Sequence, residues 1–130
     1  MANPDLINVT SVLGGNAGFN LTNTATATLI TVDADHICKI NRITCANVDG
    51  TNSATVDLFV DGLGSGASGV TTTGADATVY LAKTVAVPAD TTLVILDTPI
   101  YLMEGDVLKG GAGAASDLEL FVSYESIDDA

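Results

Sequence analysis

The sequence predicts an all-β chain, a single-domain antiparallel β-sandwich of about eight strands, on three observations. Apolar residues make up 47% of the chain but aromatics only 5%, so the core must be built from Val, Ile, Leu and Ala. Nearly every segment alternates in polarity or is rich in β-branched residues, which suit a pleated, half-buried surface better than a helix. Turn residues recur at short intervals and no amphipathic helical period appears, a pattern typical of sandwiches and barrels. At 130 residues the chain is long enough to bury ~65% of its unfolded surface.

Strands are expected, in order, near Leu6 to Leu13, Ala25 to Val32, Ile37 to Cys45, Ala54 to Val60, Thr78 to Val85, Thr92 to Leu96, Ile100 to Met103 joined with Val107 to Lys109, and Leu118 to Tyr124. The fourth is the clearest. Ala54, Val56, Leu58 and Val60 share one face, and Thr55, Asp57, Phe59 and Asp61 the other. The last alternates likewise, Leu118, Leu120, Val122 and Tyr124 against Glu119, Phe121, Ser123 and Glu125. In the third strand the apolar parity switches between Cys38 and Ile40 and the later Ile43 and Cys45, and a β-bulge near Asn41 and Arg42 would re-phase it. Breaks are assigned to Gly14-Gly15-Asn16, Asp33-Ala-Asp35, Asp49-Gly50-Thr51-Asn52, Asp61 to Gly74, Pro88-Ala-Asp90, Glu104-Gly105-Asp106 and Gly110 to Ser116. There glycine supplies positive φ and Asx side chains fold back on the backbone. The division that follows is an N-terminal arm, 1–12, a sandwich domain, 13–127, and an acidic tail, 128–130.

Charge excludes several functions. Sixteen Asp plus Glu against four Lys plus Arg give a formal charge of −12, which repels nucleic-acid phosphates and anionic membranes. Gly64-x-Gly66-x-x-Gly69 spells a dinucleotide-binding turn, but a Thr- and Val-rich stretch follows where such a turn must open a helix, and no Lys-Ser/Thr pair completes a P-loop. That stretch reads as a long connection between strands. Met1 to Val9 shows no basic region followed by an apolar run, so no signal peptide is expected, and no apolar run approaches the ~18 residues of a membrane span.

Catalytic constellations are missing as well. His36 is the only histidine, no Gly-x-Ser-x-Gly elbow precedes a helix, and the chain is not expected to be an enzyme. Cys38 and Cys45 lie seven positions apart in one extended segment, about 23 Å, too far for a disulfide. They are expected to be buried thiols of a protein made in a reducing compartment. Acidic pairs such as Asp33 with Asp35, Asp57 with Asp61 and Glu104 with Asp106 lack the loop spacing that converges six or more oxygens on calcium. They read as solvated turns, and no metal or other cofactor is expected.

Three stretches of the C-terminal part, Leu81 to Ile127, carry a family likeness. Pro88-Ala-Asp90 precedes an apolar strand, Pro99-Ile-Tyr-Leu-x-Glu-Gly-Asp106 leads into another, and Ala114-Ala-Ser-Asp-Leu118 opens the final Ser-Tyr-Glu strand. In these the chain resembles small virion structural proteins of tailed bacteriophages. The resemblance implies a jelly roll or related sandwich that decorates the capsid, as a cement protein bound to the major capsid protein, or serves in the neck, collar or tail. It also implies a homo-oligomer, with a trimer favoured, and brings no catalytic residues. The acidic balance places such a protein on the outer capsid surface, away from packed DNA. A third expectation is a lectin-like jelly roll that binds sugars, against which the absence of Trp counts.

Four interface residues are expected. Phe59 and Phe121 stand on the polar faces of their strands, and each ring is worth roughly 1.5 to 3 kcal/mol on burial, which favours a covering surface, either a sister subunit or, with the rings as ordinary core, the Asp61 to Gly74 loop. Leu6 and Ile7 belong to the arm, where Pro4 cannot donate a ladder hydrogen bond and alternation is poor, so the segment either lies on a neighbour or frays as a terminus.

Overall fold

The computed structural model describes residues 7–63, 72 and 77–128. These residues form nine strands: β1 Ser11–Asn20, β2 Ala27–Thr31, β3 His36–Asn47, β4 Ala54–Asp61, β5 Val79–Val87, β6 Thr92–Leu96, β7 Ile100–Leu102, β8 Val107–Ala112 and β9 Leu118–Asp128. The chain is all-β, and its strands make a sandwich of two antiparallel sheets. The first has the order β1-β9-β3-β6, with β7 beside β6 on the same flank of β3; the second has the order β2-β8-β4-β5. The pairs nest. β1 lies on β9, β2 on β8, β3 on β6 and β7, and β4 on β5, so the chain is a long hairpin closed upon itself by the β9–β3 and β8–β4 ladders.

The core follows from the alternation. Ile40, Ile43, Cys45, Leu118, Leu120 and Val122 of the first sheet meet Val56, Leu58, Val60, Val87 and Leu108 of the second, each nearly or fully buried. The parity switch in β3 is a bulge, its register against β9 shifting between Ile40 and Arg42, and it returns Ile43 and Cys45 to the interior. Both cysteines are free and buried, and burial pushes each thiol up to about 11.

Several expected boundaries are corrected. The first strand begins at Ser11, not Leu6, and runs straight through Gly14-Gly15-Asn16, which had the composition of a loop. Gly15 serves a neighbour and not a turn: a Cβ there would stand 2.8 Å from the Tyr124 ring of β9. The segments Ile100 to Met103 and Val107 to Lys109 are two strands in different sheets, β7 on β3 and β8 on β4. The turn between them makes the crossing. Gly105 has φ +86°, the Asp106 N–H donates to Met103 O at 3.0 Å, and Met103 N–H donates to the Asp106 carboxylate at 2.9 Å. Gly110 to Ala112, expected in a loop, continues β8; a Cβ on Gly110 would lie 2.8 Å from Asp57 O of β4, so glycine here permits strand approach. The final strand extends to Asp128, which pairs with Ser11 and with His36. The fifth starts at Val79 and reaches Val87.

Two buried polar side chains fasten the ends of strands. Asn47 is 3% exposed; its Nδ2 donates to Val87 O at 2.8 Å and Asn52 O at 3.0 Å, and its Oδ1 accepts from Asp49 N–H at 2.9 Å. It ties the end of β3 in one sheet to the end of β5 in the other. Asp106 is equally buried, and desolvation raises its pKa above the usual carboxylate value.

Candidate interaction surface

The sandwich presents two outer faces and one open flank. On the first sheet, register places Gly18, Phe121, Thr44 and Val94 in a row across four strands. Phe121 is 50% exposed and Val94 43%. Gly18 has no side chain to shield the ring, and a shallow trough of about 330 Å³ opens beside it, lined by Gly18, Asn20, Ala46, Glu119 and Phe121 among others. A second row sets Gly14, Glu125, Lys39 and Tyr101 side by side, Tyr101 being exposed. In the middle of this face β1 contributes only Gly14, Asn16 and Gly18, so its flank carries little side-chain bulk.

The outer face of the second sheet is built differently. Phe59 is half-buried, its ring 4.9 Å from that of Tyr80 at 41°, and Lys83 Nζ lies 4.3 Å above the Tyr80 ring. Beside them Lys109 Nζ reaches Asp61 Oδ2 at 2.8 Å, while Thr78 Oγ1 and Gly62 N–H donate to Asp61 Oδ1 at 2.7 and 2.9 Å. These donors, Lys109 first, hold the Asp61 carboxyl down at about 2. Asp57 takes the Thr84 N–H at 2.6 Å and so holds Thr84 at φ +51°, a conformation that β-branched residues avoid.

The folded pKa of Asp61 lies below its ordinary 3.8, so its contribution to stability is complete above about pH 4 and disappears as pH falls through about 2. Asp61→Asn should lose this acid-sensitive step. Urea midpoints at about pH 6 and about pH 2.5 measure it: the drop between them should be smaller in the variant than in the wild type. An equal drop would assign the acid sensitivity to other carboxylates.

Phe59 and Phe121 both point outward, as their parity indicates, but from β4 and β9 they occupy opposite faces of the sandwich. One flat contact cannot cover both. Phe121 is the open ring; Phe59 has a partner in Tyr80, from a strand that sequence alternation could not pair with it. Phe121→Ser should therefore shift stability by less than ~0.5 kcal/mol. Phe59→Ser should cost about 1 to 3 kcal/mol through lost burial and ring contact, measured as the difference in denaturant midpoint multiplied by m. Equal costs would contradict this division. Ile7 stands 92% exposed ahead of β1. Leu6 and the Gly64-x-Gly66-x-x-Gly69 pattern lie outside the described residues.

The open flank lies between the sheet edges β1 and β2. A cavity of about 380 Å³ enters the sandwich there, lined by Ala17, Phe19, Leu29, Val32, Cys38 and Tyr124, with Asp33, His36 and Ser126 also on its wall. Leu13, which faces the interior side of β1 with Ala17 and Phe19, is nevertheless 65% exposed. His36 shares a 2.7 Å hydrogen bond between Nδ1 and Ala34 O, which raises its pKa, with Asp128 at 3.9 Å adding to the effect. At about 11 the Cys38 thiol stays protonated near neutral pH and is a poor nucleophile. Among the described residues no group of three or more His, Cys, Asp or Glu side chains is placed to hold a metal ion.

No family model matches the chain. No curated protein matches it either. Among solved structures, a chain in the structure of infectious bursal disease virus Gt strain is similar over 91% of this chain and 30% of its own length, with 12% identity and a TM-score of 0.29. This chain thus spans less than a third of that one. At so low a TM-score the likeness supports no inference.

Proposed function

We propose that this chain is a structural protein of a virion, a decoration or cement protein that lies on the outer capsid surface and ties major-capsid subunits together. The observation that carries this reading is the outer face of the first sheet, with Phe121, Val94 and Tyr101 exposed on a chain of net charge −12. Exposed apolar groups on a rigid sheet are suited to burial against a protein surface. The acidic balance keeps the chain off nucleic acid and favours the side of a shell away from the genome. The nested strand order, β1-β9-β3-β6 over β2-β8-β4-β5, is compatible with the jelly roll that the phage resemblance implies, an architecture that viral capsid proteins use. The resemblance of the Leu81 to Ile127 stretch to small tailed-phage virion proteins is in keeping with this reading.

The mechanism is interface burial repeated over many sites. At ~1,200 to 2,000 Å² for each specific contact, many copies would resist expansion and heat. Heads prepared with and without the protein test it: those lacking it should melt at a lower temperature and lose more particles on osmotic shock, and identical survival rejects the cement role. Copy number separates this reading from a neck, collar or tail component. Hundreds of copies per particle mean the shell, whereas about six to eighteen mean the tail axis. Phe121→Ser should reduce head occupancy while leaving the isolated domain folded.

A further inference from the structure

Natural sheets guard their edges with lysine, proline, bulges or short strands, because an open edge offers unpaired N–H and C=O groups to any passing strand. β1 has none of these guards. It is ten residues long, Ser-Val-Leu-Gly-Gly-Asn-Ala-Gly-Phe-Asn, without a charge or a proline in a chain of net charge −12. Among the described residues no strand pairs with its outer edge. Leu21 N–H donates to Leu118 O at 3.0 Å, directly in register with the β1–β9 ladder. Odd-numbered residues of β1 therefore bond to β9, and the backbone groups of Val12, Gly14, Asn16, Gly18 and Asn20 point to the open side.

The order of residues in β1 adds a second observation. Outward from Asn16 in both directions, Gly15 matches Ala17, Gly14 matches Gly18, and Leu13 matches Phe19. Over these seven residues, Leu13 to Phe19, the strand matches itself when turned end for end, and beyond them Val12 falls opposite Asn20. We propose that β1 is a self-pairing edge: a second copy of this chain adds its own β1 antiparallel about a twofold axis through Asn16, making one continuous sheet of the two first sheets.

In that register the residues that face each other also share a side of the sheet, and the open backbone groups of one copy meet those of the other. Gly14 lies opposite Gly18 of the second copy on the outer face, and the two Asn16 amides meet at the axis. On the inner face Leu13 lies opposite Phe19 of the second copy, which gives an interior-facing but exposed leucine an apolar neighbour. Two copies that each carry −12 repel, and they approach with least opposition along a strand that carries nothing. The symmetry is twofold, unlike the trimer that the phage resemblance implies, and it holds whether or not the protein decorates a capsid.

Charge exchange at the glycines tests the pairing. A Cβ at Gly14 or Gly18 meets nothing within 4 Å, so either position accepts a long side chain. Sedimentation should find the wild type dimeric at about 10 to 100 µM, while G14K/G18K and G14E/G18E, each setting like charges directly opposite, should raise the dimer Kd about tenfold or more. An equimolar mixture of the two variants should restore a heterodimer. A wild type that is monomeric or trimeric over this range, or a G14K/G18K chain that dimerises undiminished, overturns the proposal. Asn16→Cys decides independently of how the lysine and glutamate variants fold. The α-carbons of a hydrogen-bonded pair are about 5.5 Å apart, within disulfide reach, so mild oxidation should give a covalent dimer on a non-reducing gel. A dimer that fails to cross-link through this cysteine overturns the register.

Discussion

Asn47→Ala is expected to lower stability by about 3 kcal/mol, since it removes three hydrogen bonds, each worth about 1 kcal/mol, from a buried site and strands the acceptors it served. Val87 O and Asn52 O lose their donor, and Asp49 N–H its acceptor. The loss should be larger than the change in volume suggests, because the amide joins β3 and β5 across the sandwich. For a domain of this size the thermal midpoint should fall by roughly 10 °C. Asn47→Asp separates hydrogen bonding from packing. It keeps the shape and the acceptor for Asp49 but turns a carboxylate oxygen toward two carbonyls, so near neutral pH it should be at least as damaging as alanine. A cost below about 1 kcal/mol for either variant would mean that the amide is dispensable.

Leu58→Ala is expected to cost about 2 to 5 kcal/mol, the range for deleting a buried leucine side chain and leaving a cavity. Leu58 is fully buried, and its strand has ladders on both sides, with β5 and with β8, so the backbone has little freedom to collapse into the space. Val94→Ala is the control. It removes an apolar group that is 43% exposed on an edge strand and should cost less than ~0.5 kcal/mol. Urea midpoints with an unchanged m-value would attribute both results to the native state. A Leu58 variant as stable as the Val94 variant would contradict the placement of β4 at the centre of the core.

How far the sequence could be read depended on what each residue answers to. β4 and the first half of β9 were legible because alternation is a local property: Leu58 and Phe59, or Leu120 and Phe121, are neighbours with opposite fates. β6, Thr92–Leu96, was read to the residue between Pro88-Ala-Asp90 and Pro99. Asp35, Asp90 and Gly105 take the left-handed backbone their turn chemistry suggests. β1 was misread because glycine is ambiguous: Gly15 looks like a turn residue, yet its cause is the Tyr124 ring of a strand more than a hundred residues away. The same holds for the candidate site. Parity alone directed Phe59 and Phe121 outward, but which sheet each belongs to, and that Tyr80 covers only the first, depends on long-range pairing that no local pattern encodes.

The nested pairing sets an order of assembly. Joining β4 to β5 closes a connection of about 17 residues, whereas joining Ser11 to Asp128 closes one of roughly 120, and loop-closure entropy makes the second dearer by about 1.7 kcal/mol until inner strands have shortened it. Folding should therefore zip from the inside outward, on the millisecond-to-second scale of non-local β topologies. During synthesis the consequence is sharper. β9 is the last strand to emerge, so at ~5 to 20 residues per second the nascent chain carries β1 unpaired on both edges for roughly ten seconds. Many ribosomes translating this chain side by side would hold many such neutral, glycine-rich strands at once, and the growing chain's excess of carboxylates would be what keeps them apart.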